Sequence, residues 1–178
     1  VTPTNIDAVV SAASLTDDSP VVPLLNHLEP DALFLGVARD FCRRSPTMAD
    51  RIMPPLVVAL AKAGGYDAAL TLVWKRGGQS PRLPSPYRIA GSWLAEIVGK
   101  ATAIRMYHTL EARQTAEGRV HIPTRAAVRK CVRLACLEHL AAAGLSKARI
   151  ASVLGMSERT VWRHISDRRK ADLSRKQG

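Results

Sequence analysis

Arg159 and Arg163 stand four residues apart in the segment Ser157-Glu-Arg-Thr-Val-Trp-Arg-His-Ile165, with Ser157, Glu158 and Thr160 around the first of them. A four-residue step places two side chains on one face of an α-helix. Such a face presents two guanidinium forks bordered by hydroxyls and one carboxylate. A fork donates two parallel hydrogen bonds to a matching pair of acceptors, as the O6 and N7 edge of guanine provides in the major groove of DNA, at about 1–3 kcal/mol of discrimination. The chemistry is recognition. No nucleophile motif, carboxylate cluster, phosphate-cradling glycine loop or His-rich metal pattern accompanies these residues, so an enzyme is not expected.

A reading face needs elements that hold it, and residues Lys147–Ser166 supply the pattern of a helix-turn-helix. Ile150 and Leu154 are an apolar i, i+4 pair before Gly155, and Val161 and Ile165 are another after it, so each helix has one side to bury against the other. Ala151 is small where two backbones pass closely. Gly155 falls where the first helix must stop, Ser157 is placed to N-cap the second, and Glu158 suits its positive end. Lys147, Arg149, His164, Arg168 and Arg169 flank the reading face and are candidates to hold phosphates, which fixes register without reading sequence. Trp162 packs beneath the second helix or rests against the sugar backbone, and core packing is the expectation.

The charge distribution points to the same kind of partner. Of the net +11, residues 1–50 carry 3 Lys/Arg against 7 Asp/Glu and residues 51–178 carry 23 against 8, with 14 against 4 from Arg119 onward. A positive field concentrated around one element suits a polyanion. No apolar run is long enough to span a bilayer, and the first residues lack the basic then apolar order of a secretory signal, so the expected setting is cytoplasmic. Three cysteines, Cys42, Cys131 and Cys136, argue against a disulfide framework. Cys131, Cys136 and His139 lack the paired ligand spacing of a zinc site, and Cys131 reads as a buried thiol. No cofactor is expected.

Upstream, residues 1–20 are rich in Ser, Thr, Asp and Pro and are expected to be disordered, and 21–53 form a helical extension whose main helix comes after Pro30 and stops near Pro46. Residues 54–123 then read as two tandem helix-glycine-helix-strand units. Anchoring Gly65 on Gly99 places Leu60-Ala61 on Leu94-Ala95, Ala69-Leu70 on Ala103-Ile104 and Leu72 on Met106. Duplicated units of this kind can pack as an intramolecular pseudo-dimer. The second ends in Arg119-Val120-His121-Ile122, which alternates polar and apolar like a short strand before Pro123. That strand must pair with the Arg82-Leu83 segment of the first unit or with the same strand of a second chain. Thr124 can cap a helix running to about Ala143, on which Arg125, Arg129 and Arg133 recur every four residues as further phosphate candidates. The helix-turn-helix domain thus spans 124–169, with a basic tail over 170–178.

Leu94-Ala-Glu-Ile-Val-Gly99, Gly118-Arg-Val-His-Ile-Pro123 and the helix-turn-helix ending Ser157-Glu-Arg-Thr-Val-Trp-Arg-His-Ile165 resemble the Mor/C family of phage transcription activators over residues 92–169. The resemblance implies a mainly α fold: a helical dimerisation region with a short antiparallel β pair, then a DNA-binding domain, in a protein that recruits RNA polymerase to a promoter. It differs from that family in carrying two such units and a long N-terminal extension. The expected partners are double-stranded DNA, a second copy of the chain or its own internal repeat, and RNA polymerase or another regulator. Repression, co-regulation through a partner docked on the N-terminal half, and targeting of a recombination system are the alternatives.

Overall fold

The computed structural model describes residues 31–176, with side chains from Phe34 to Asp167. The expected disorder of 1–20, the first part of the 21–53 extension and the side chains of Arg168 and Arg169 lie outside the described residues. The chain divides into two compact units, one of residues 34–132 and one whose described residues are 31–33 and 133–176. Among the described residues no helix is long and apolar enough to cross a membrane.

In the first unit, α1 (Asp31–Arg44) stops where Pro46 forbids its continuation, and Pro46 in turn opens α2 (Pro46–Ile52). Phe34, Val37, Ala38, Phe41 and Cys42 of α1 are buried, so this helix completes a core. It lies on α4 (Tyr66–Arg76): Phe34 stacks on Trp74 with ring centroids 6.1 Å apart, Arg39 donates to Thr71 Oγ1 at 2.7 Å, and Arg39 also pairs with Asp67 at 3.4 Å. The packing leaves the Cys42 thiol in a poor environment for a charge. Burial first, and then the carboxylates of Asp67 and Asp50, push its pKa up to about 12. Because a raised pKa keeps the thiol protonated at pH 8 and alkylation needs the thiolate, Cys42 is expected to resist iodoacetamide in the folded protein and to react once urea opens the unit. Half-buried Cys131 should be modified first, and peptide mass mapping reports the order.

The two repeats are α3 (Pro55–Gly64) with α4, and α5 (Trp93–Val98) with α6 (Lys100–Glu111). Each pair is broken by a glycine of nearly the same backbone conformation, Gly65 at φ 88°, ψ 155° and Gly99 at φ 81°, ψ 152°. This region of conformational space belongs almost entirely to glycine. A Cβ at either position would meet no atom within 4 Å, so substitution tests conformation alone. Gly99→Ala is expected to cost about 1–3 kcal/mol in urea denaturation, by backbone strain without a clash. The aligned pairs Leu60 and Leu94, Ala69 and Ala103, and Leu72 and Met106 are all fully buried. The likeness ends at Leu70, which is buried, and its counterpart Ile104, which is 52% exposed.

The packing of the repeats is crossed: α3 rests on α6 and α4 on α5. Gly64 lets α6 come close to α3, since a Cβ there would fall 2.6 Å from Met106 Cε and 2.7 Å from Thr102 Cγ2. Arg105 of α6 also donates to the Ala63 carbonyl at 3.1 Å. Between the repeats a 3-10 helix, Pro86–Gly91, leads to Ser92, whose buried hydroxyl accepts from the Ala95 N–H and caps α5.

The short antiparallel β pair is corrected by the structure. Among the described residues no strand forms, and the two extended segments meet in a single antiparallel bridge between Arg82 and Arg119. Val120 donates to the Pro81 carbonyl at 3.1 Å, but Pro81 has no N–H to return. Pro84 and Pro123 bound the segments on either side, so the ladder cannot grow.

Candidate nucleic-acid interface

Thr124 caps α7 (Arg125–Ala142) by accepting from the Ala127 N–H at 3.1 Å, and Gly144, at φ 84°, ends the helix. Ser146 then caps α8 (Lys147–Leu154), accepting from the Arg149 N–H at 3.2 Å. Gly155 closes α8 in the left-handed region at φ 58°, ψ 41°, a conformation that glycine adopts without cost. Ser157 is the cap of α9 (Glu158–Lys176), accepting from the Thr160 N–H at 3.2 Å while its hydroxyl meets Thr160 Oγ1 at 2.7 Å. Ile150, Ala151, Val153 and Leu154 of α8 and Val161 of α9 are buried, as are Ala135, Leu137 and Leu140 of α7. The three-residue connection and its glycine fix the crossing of α8 and α9. Helix α9 is longer than the sequence pattern suggested, since it continues through the region read as a basic tail.

Burial of Val161 determines which way α9 faces. At about 100° per residue, Arg159 and Arg163 each lie about 160° from Val161 and only about 40° from one another. Both are exposed. Ser157 and Glu158 are exposed at the N-terminal end of the same helix, and half-exposed Thr160 lies about 60° from Arg163 around the axis. Half-exposed Ser166 lies about 20° from Arg159 around the helix axis. It joins this face unforeseen, although the helical period contained the signal.

The flanks depart from expectation in two places. Trp162 is 56% exposed, which corrects its assignment to the core. The physical reason is rotational: the buried line of α9 runs through Val161, and Trp162 sits about 100° from it. The Lys147 ammonium lies 6.0 Å from the Trp162 ring centroid, so a cation and an aromatic face share one edge of the helix pair. This pairing of residues 15 apart left no trace in periodicity. The second departure is Arg129, whose guanidinium lies 5.4 Å from the Phe34 ring centroid. It packs against α1 instead of belonging to an open basic stripe. Arg125 is exposed, whereas Arg133, Arg149 and His164 are half-buried.

The remaining candidates sit in the first unit. Val120 and Ile122 are buried and Arg119 and His121 exposed, the alternation expected of an extended segment. They bond to the segment that follows α4: Ile122 donates to the Gln79 carbonyl at 3.0 Å, Arg119 Nη1 donates to the Ser80 carbonyl at 3.1 Å, and His121 Nδ1 lies 3.2 Å from Ser80 Oγ. Among the described residues no three His, Cys, Asp or Glu side chains gather as metal ligands.

Residues 127–172 match the family model of a homeodomain-like domain. The C-terminal region is a helix-turn-helix DNA-binding region, in agreement with its caps, glycine turn and crossed helices. No curated protein and no solved structure matches the chain.

Proposed function

We propose that the chain is a sequence-specific transcription regulator of double-stranded DNA, and that it activates by recruiting RNA polymerase at a promoter of phage or mobile-element type. The observation that carries the DNA reading is the outward face of α9, where Arg159 and Arg163 stand side by side opposite buried Val161. In this reading α9 enters the major groove, Arg159 or Arg163 pairs bidentately with guanine, and Ser157, Glu158 and Thr160 contact neighbouring bases. Lys147 and Trp162 border the groove, the ammonium on phosphate and the indole along the sugar backbone. The direction of regulation rests on the resemblance of residues 92–169 to the Mor/C activators. The protein acts in the cytoplasm, without a cofactor and without catalysing a reaction.

Genomic-fragment capture coupled to in vitro transcription tests this reading. The expected result is enrichment of a defined sequence beside promoters and more transcript when protein is added. Enrichment with less transcript makes the protein a repressor, absence of enrichment removes the DNA reading, and cleavage of supercoiled DNA makes it an enzyme.

A further inference from the structure

We infer that residues 54–123 form an internally completed two-fold pair, so that the helix-turn-helix at 124–169 is delivered singly and its DNA target is a single site without dyad symmetry. The inference rests on the DNA reading proposed above and adds the form of the ligand.

A two-fold axis requires that every contact be returned with its partners exchanged. The first unit meets this test at the bridge between its two extended segments. Leu83 donates to the Gly118 carbonyl at 2.8 Å, and Val120 donates to the Pro81 carbonyl at 3.1 Å. Exchanging Arg82 with Arg119, the bridged pair, converts the first bond into the second. The helices obey the same exchange, since α3 on α6 becomes α5 on α4 when the repeats are swapped, and both interfaces are present. The kinks at Gly65 and Gly99 match within about ten degrees in both torsions, and three aligned pairs of core positions are buried alike.

This arrangement occupies the groups that a second chain would need. The Val120 and Ile122 N–H groups are bound to Pro81 and Gln79, while the Arg119 carbonyl accepts from Thr115 and its N–H donates to Thr115 Oγ1. Strand exchange between chains would have to break bonds already made within one. The two repeats differ in the elements they lead into. After Pro84 the chain enters the 3-10 helix Pro86–Gly91 and the second repeat, whereas after Pro123 it enters α7 and the helix-turn-helix. A homodimeric helix-turn-helix protein matches its two heads to a palindrome with half-sites a helical turn or more apart. A pair closed within residues 54–123 brings no second copy of the helix-turn-helix at 124–169 to a second half-site.

The test uses the full chain. Sedimentation equilibrium without DNA should give the mass of one chain, 19.3 kDa, across the concentration range. Selection from a random duplex library should then yield a motif within about one helical turn, without inverted symmetry, bound at one chain per duplex. A mass twice that value, or an inverted repeat bound by two chains, overturns the inference. A monomer that selects no motif overturns the DNA reading while leaving the internal pair standing, so the two failures are told apart.

Discussion

Replacing Arg159 and Arg163 together by alanine is expected to abolish preference for the target sequence while leaving the helical circular dichroism unchanged. Each arginine that forks onto a guanine contributes about 1–3 kcal/mol of discrimination, roughly 5- to 150-fold, and both are exposed and remote from the buried Val161 line. Their loss should leave the core intact. Non-specific binding should persist in weakened form, because Lys147 and other basic residues still attract phosphate. Competition electrophoresis with target and scrambled duplexes measures the ratio directly. A double variant that keeps its preference would move base reading off this face of α9.

Leu154→Ala is expected to have the largest effect on stability. Leu154 is fully buried at the last turn of α8, immediately before the left-handed Gly155. Removing its side chain costs transfer free energy and leaves a cavity, together about 2–5 kcal/mol. In a helix-turn-helix with a small core, that loss should unfold the DNA-binding region or leave it marginal, and specific binding should fall with it. Because the chain has two compact units, urea denaturation is expected to show a first transition shifted to lower urea and a second, belonging to residues 34–132, close to its original midpoint. A single unshifted transition would place Leu154 outside the core that holds α9.

The helix-turn-helix was the most legible part of the sequence because its constraints are local. Caps, a glycine turn and i, i+4 apolar pairs act within a few residues, and Ser146, Gly155 and Ser157 do what such residues do at helix ends. Its aromatic edge was not legible. Whether Trp162 is buried depends on the rotation of α9 against its neighbours, and the choice between Val161 and Trp162 as the inward residue is made by packing. Arg129 kept to a regular basic spacing but meets Phe34, 95 residues away, which no period encodes. The β pair was read correctly as extended chain needing a partner and wrongly as strands, because proline at 81 removes the donor on which a reciprocal ladder depends. The likeness of the two helix-glycine-helix segments was visible as aligned glycines and leucines, yet their crossed packing is a tertiary fact.

That crossing also bears on the order in which the protein can be made. When a ribosome has delivered only the first repeat, α3 has no α6 and α4 has no α5. The helices that carry Leu60 and Leu72, fully buried in the finished unit, then lack those packing partners, and the Leu83 N–H waits for a carbonyl at Gly118. Closing such distant contacts delays folding and leaves apolar surface open to chaperones or aggregation during synthesis. A nascent chain arrested before α6 should therefore be digested readily by protease on the ribosome, and one arrested well beyond Pro123 should resist.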